Sequence, residues 1–90
     1  MAIAKRIKVH GFVQGVSFRA SMATVATAAG VTGWVRNLPD GTVEAFLEGD
    51  EKSVKKVVGW AKMGPPRARV TMVDQEDASP KDHKDFRIYG

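Results

Sequence analysis

A tight turn at Leu38-Pro39-Asp40-Gly41 parts two β-prone runs, Trp34-Val35-Arg36 and Thr42-Val43-Glu44-Ala45-Phe46-Leu47-Glu48. Proline presets φ and glycine accepts a positive φ, so the two runs fold back on each other as a hairpin. Helical periodicity flanks the hairpin on both sides. Before it, Phe18, Met22, Val25, Ala26 and Ala29 fall on one face of a wheel, and Gly30 supplies the stop. After it, Val54, Val57, Val58 and Ala61 form a stripe with Trp60 at the edge. Asp50 is placed as the N-cap of that second helix and Glu51 on the positive end of its dipole. Gly59 inside it costs about 1 kcal/mol against alanine, and Gly64-Pro65-Pro66 forbids continuation.

Strands complete the pattern at both ends. Ile3, Lys5, Ile7 and Val9 share one face of a period-two run ending at Gly11, with Arg6, Lys8 and His10 opposite. Val70, Met72 and Asp74 alternate as a further strand, Phe86 and Ile88 form a short last one, and Asp74 to Asp85 reads as a polar loop. The order is βαββαβ plus a terminal strand. Right-handed crossovers place both helices on one face of an antiparallel sheet, which predicts an α+β, ferredoxin-like sandwich. Ninety residues make a single domain, 1–90, since a second core would not fit.

Composition narrows the chemistry. The chain has no cysteine, which excludes a disulfide framework, a thiolate zinc site and a cysteine nucleophile. The formal charge of +4 favours anionic partners without naming one. No apolar run approaches the ~20 residues that span a membrane, and the start lacks a signal peptide's apolar region. A soluble cytoplasmic monomer is the expectation.

The segment Gly11-Phe12-Val13-Gln14-Gly15-Val16-Ser17-Phe18-Arg19 joins the first strand to the first helix. A loop containing glycine can curl until successive backbone N–H groups converge, and the helix start adds its positive dipole. Arg19 brings a planar, permanently charged fork that matches two phosphate oxygens. The plainer reading is a strand-to-helix turn with a surface arginine. The loop is not a Walker A motif, lacking Gly-Lys-Ser/Thr. Asn37 ends a strand just before the turn and is by itself an ordinary turn former. The split βαβ arrangement can bring it near Arg19, where a neutral amide could hold a water in line with an electrophile.

Val13-Gln14-Gly15-Val16-Ser17-Phe18-Arg19, followed by Gly33-Trp34-Val35-Arg36-Asn37 and Asp40-Gly41-Thr42-Val43, resembles the acylphosphatase family. The likeness extends through Gly49-Asp50, Gly59-Trp60 and Gly64-Pro65-Pro66-Arg67-Ala68-Arg69-Val70. The resemblance implies hydrolysis of acyl phosphates to carboxylate and inorganic phosphate on a ferredoxin-like fold. It implies Arg19 and Asn37 as the catalytic pair, the first binding phosphate and the second positioning water. Gln14, Gly15, Val16, Ser17 and Phe18 would join Arg19 in binding phosphate, while Thr42 and Gly11 would support the site from behind. One departure is the run Ala20 to Ala29, short and uncharged where relatives carry longer and more charged side chains. It implies a thin helix face.

No cofactor and no metal is expected, because neither motif holds a histidine or carboxylate cluster. His10 reads as a solvated strand-end residue, and His83 pairs with no motif. Trp34 and Trp60 read as core or near-core packing. Lys5, Arg6, Lys8, Lys52, Lys55 and Lys56 read as solvated. Two rival functions use the same fold. An RNA-binding module would stack bases on exposed sheet aromatics, yet Thr42 to Glu48 is acidic with one aromatic, so no nucleic acid is expected. A domain binding phosphate without turnover, like that of hydrogenase-maturation carbamoyltransferases, is the second; a chain of this length favours a free-standing enzyme.

Overall fold

A computed structural model describes residues 2–90. Its elements are β1 (Ala2–Phe12), α1 (Phe18–Ala28), β2 (Thr32–Asn37), β3 (Val43–Asp50), α2 (Glu51–Ala61), β4 (Arg69–Ala78) and β5 (Phe86–Ile88). Sheet order is β4-β1-β3-β2-β5, the ferredoxin-like arrangement with one added edge strand. The four long strands are antiparallel, with β1 paired to both β3 and β4, and β2 paired to β3. The short terminal strand β5 lies parallel to β2, so the five-stranded sheet as a whole is mixed. The chain leaves β4 at one edge, crosses to the other edge at the same end of the sheet, and so re-enters running with β2.

Both helices pack on one core. Ile7 and Val9 of β1, Val35 of β2, and Val43, Ala45 and Leu47 of β3 meet Phe18, Met22 and Ala26 of α1 and Val54, Val57, Val58 and Ala61 of α2. The α2 stripe is the one read from its spacing, and Asp50 caps it by accepting from the Lys52 N–H at 3.1 Å. Ala26 of α1 is fully buried, but its other alanines lie less deeply. Val25 and Ala29 are half-buried against the core, so the thin face falls on its rim.

Strand β4 departs furthest from its sequence pattern. It runs to Ala78, through residues expected to form a loop. Its register shifts between His10 and Gly11, where Gly11 faces Val70 and His10 faces Met72, leaving Thr71 as the extra residue of a bulge. Val73 therefore lies opposite the buried Val9, and Met72 is half-exposed. Gly11 has φ +122°, and a Cβ there would collide with the Arg69 carbonyl oxygen, so this close approach requires glycine. The polar sequence of β4 suits an edge strand guarded by charge. Lys5 pairs with Asp77 at 2.7 Å, and His10 bonds Asp74 at 2.9 Å, so neither is simply a solvated side chain.

The other sheet face carries a second, smaller cluster. Phe46 is buried there, stacked on Trp34 at 6.2 Å and tilted against His83 at 5.2 Å. Beside it Glu48 is 6% exposed, and its carboxylate accepts from the N–H groups of Lys81, Asp82 and His83 and bonds His83 Nδ1. Burial alone would raise its pKa. The His83 ring and the three backbone N–H groups outweigh that and hold it below the ordinary glutamate value. Glu48→Gln removes the charge that those donors surround. Urea unfolding at neutral pH should show a loss of about 1–2 kcal/mol, with hydrogen exchange speeding up first at residues 81–83.

Candidate active site

Strands β1, β2 and β5 all finish at one end of the sheet, and α1 begins there. The loop 13–17 between β1 and α1 is anchored by Val13 and Val16, whose side chains are buried in the core. Gly15 (φ 75°) and Ser17 (φ 65°) both adopt left-handed backbone, which turns the intervening amides outward. For Ser17, not a glycine, that conformation costs roughly 1–2 kcal/mol. Ser17 is the N-cap residue of α1, but its hydroxyl caps nothing, and the first turn of the helix has no acidic residue. The N–H groups of residues 15–19 have no acceptor among the described residues. They form an electropositive arc with the helix dipole behind it.

Phe18 is 1% exposed and packs on Trp60 at 5.2 Å, fixing the first turn to the core. The next residue, Arg19, therefore projects from a rigid base. Its Nη1 donates to the Tyr89 carbonyl at 2.6 Å, and the Tyr89 N–H donates to Val35 at 2.8 Å. The chain's last residues thus orient the guanidinium. Nothing in the motifs signalled this, since the contact uses a main-chain carbonyl that any residue at position 89 would supply.

Asn37 closes β2 and lines the same cleft as the arc. Its Oδ1 is buried and has no hydrogen-bond partner, an unusual state for a side-chain acceptor. Gly15, Ser17, Arg19 and Asn37 line one cleft of about 210 Å³, with Val13, Phe18, Ala20 and Ile88 as its apolar surfaces. The two candidates separated in sequence do converge.

The remaining expected residues lie behind this cleft. Gln14 Nε2 donates to the carbonyls of Leu38 (2.8 Å) and Thr42 (3.0 Å), strapping the loop to the turn that follows Asn37. Thr42 is buried, and its hydroxyl donates to Asp40 Oδ1 at 2.6 Å, with its N–H on the same oxygen at 3.0 Å. It shapes the turn and makes no side-chain bond to Asn37. Lys8 reaches Asp40 Oδ2 at 3.1 Å. Gly11 sits at the bulge, clear of the cleft lining. The described residues contain no cluster of three His, Asp or Glu side chains.

The chain is similar to known proteins over nearly its whole length. The family model for acylphosphatase matches residues 5–88. The acylphosphatase of Thermococcus kodakarensis is 49% identical over 98% of this chain and 97% of its own length. Solved structures of two acylphosphatases superpose with a TM-score of 0.94. That from Bacillus subtilis is 36% identical and covered completely in both directions. That from Coxiella burnetii is 38% identical over 98% of this chain and 93% of its own.

The Asp40 carboxyl is lowered to about 2 by the Thr42 hydroxyl, the Thr42 N–H and Lys8. A carboxyl depressed by folding stabilises above its unfolded value, near 4, and ceases to as the pH falls through its folded value. Wild type should therefore melt above Asp40→Asn by a constant margin from about pH 5 upward, and the margin should close between pH 4 and pH 2. Melting curves of both proteins across that range would check it.

Proposed function

We propose, from the premise that this chain belongs to the acylphosphatase family, that Arg19 and Asn37 perform its hydrolysis of acyl phosphates in the cleft at the head of α1. The observation that carries the reading is Asn37, its Oδ1 without a hydrogen-bond partner, lining one cleft together with the residues of the arc of unpaired N–H groups. One side offers an acceptor to a water, and the other offers donors to a phosphate.

Phosphate oxygens sit in the arc of residues 15–19, with two of them in the fork of Arg19. Val16 and Phe18 contribute through the backbone, as their side chains belong to the core. Asn37 Oδ1 accepts a hydrogen from the attacking water and aims its oxygen at phosphorus. The new P–O bond forms as the bond to the acyl oxygen breaks, and the carboxylate leaves with the electron pair. Negative charge gathers on the phosphoryl oxygens and strengthens their bonds to Arg19 and the arc. A carboxylate is a good leaving group, so positioning matters more than a strong base. In this reading a phosphoryl oxygen takes the water's proton. Gln14 serves as a brace between the two halves of the site, and Thr42 as a stiffener of the turn.

Arg19 and the amides neutralise the phosphate charge, so the reading includes turnover without a metal. The reading includes a monomer acting in the cytoplasm. The reading includes no nucleic acid: Phe46, the one aromatic of β3, is covered by Trp34 and His83 and is not free to stack on a base.

Loss of benzoyl phosphate absorbance in EDTA tests the assignment. Wild type should hydrolyse it, and Arg19→Ala should lose at least ~10²-fold in kcat/KM together with phosphate inhibition. Asn37→Ala should lose a similar factor in kcat while inorganic phosphate still inhibits at the wild-type concentration. Normal turnover by folded Asn37→Ala would remove its role. Phosphate binding without hydrolysis by wild type would leave a binding module instead.

A further inference from the structure

We propose that the acyl group of the substrate lies on an uncharged shelf between α1 and β5, and that this chain prefers acyl phosphates bearing an extended hydrocarbon group. The inference rests on the catalytic reading above and extends it to the substrate class.

Once the phosphate occupies the polar side of the cleft, the group attached to it must pass the rim. Ala20 and Ile88 form an apolar part of that rim, and the same two residues open a second, shallower depression of about 530 Å³. Ala23, Thr24, Thr27 and Ala28 line the rest of it. From Ala20 to Ala28 the helix rises about 12 Å, enough for a chain of several methylenes laid alongside.

The exposed face of α1 differs from that of an ordinary surface helix, which presents charge to water. Helix α2 follows the rule, with Glu51, Lys52, Lys55 and Lys56 all exposed. Between Ala20 and Ala29 no residue is charged, although Ala20, Thr24, Thr27 and Ala28 are exposed. Thr24 donates its hydroxyl to the Ala20 carbonyl at 3.2 Å, which turns polarity inward on the shelf. Ile88 contributes a large side chain that is 48% exposed beside the cleft. A charged acyl group would find no counter-ion along this path, whereas an aliphatic one removes apolar surface from water.

Hexanoyl phosphate and acetyl phosphate carry the same reacting group and differ only in the length of chain offered to the shelf. Wild type should favour hexanoyl phosphate by about tenfold in kcat/KM. Thr24→Glu places a carboxylate on the shelf with a better helix former, so the fold should persist. It should abolish the preference through KM for hexanoyl phosphate and leave acetyl phosphate hydrolysis within twofold. Thr27→Leu should sharpen the preference. Equal use of both substrates by wild type overturns the shelf while the catalytic reading stands, as does an equal loss on both in Thr24→Glu. Hydrolysis of neither by folded protein removes the catalytic reading and the shelf together.

Discussion

The loop at the head of α1 holds a shape that its own backbone does not favour. Two left-handed residues in three, one of them a serine, leave a run of amides without intramolecular acceptors. Burial of Val13 and Val16 keeps the loop in place. Each fully buried valine contributes roughly 1.5–3 kcal/mol, enough together to offset the cost of a strained serine. The site is therefore a product of the core beneath it. A change at Val13 or Val16 that weakened packing would be felt first in the direction of the amides above.

Arg19 depends on a much longer path. Its partner is the carbonyl of Tyr89, held in turn by Val35. Tyr89 follows β5, whose three residues are a meagre edge strand on their own. What brings the chain there is the crossing from β4, and Glu48 fixes that crossing at Lys81, Asp82 and His83. A second bond, from the Gly33 N–H to the Asp85 carbonyl, delivers the segment to β2. The buried carboxylate on the face away from the helices thus helps to set the orientation of a guanidinium at the end of the sheet.

Elements with a strong local signal were legible in the sequence. The hairpin had Pro39-Asp40-Gly41, α2 had its Asp50 cap and valine stripe, and the loop and Asn37 were found by motif. The losses have physical causes. Strand β4 was cut short because an edge strand can be polar on its exposed side, and its periodicity was broken by the bulge at Thr71, which only pairing with Gly11 reveals. Glu48 read as one more acidic strand residue, since its partners lie more than thirty positions away. Tyr89 acts through its main chain, a role that leaves no trace in residue type.

The two helices show what the site demands of α1. Both have eleven residues and cross the same sheet. Helix α2 starts with an aspartate cap and a glutamate in its first turn, each a stabilising feature of about 0.5–1 kcal/mol. Helix α1 starts with neither. An aspartate at position 17 would satisfy the free amides and compete with any anion for them, at the same place and by the same bonds. A glutamate at position 20 would set a negative charge beside Arg19. On the proposed reading, stability is forgone at this one helix end because the groups that would stabilise it are chemical equivalents of the phosphate. The missing cap then belongs to the proposed site as much as Arg19 does.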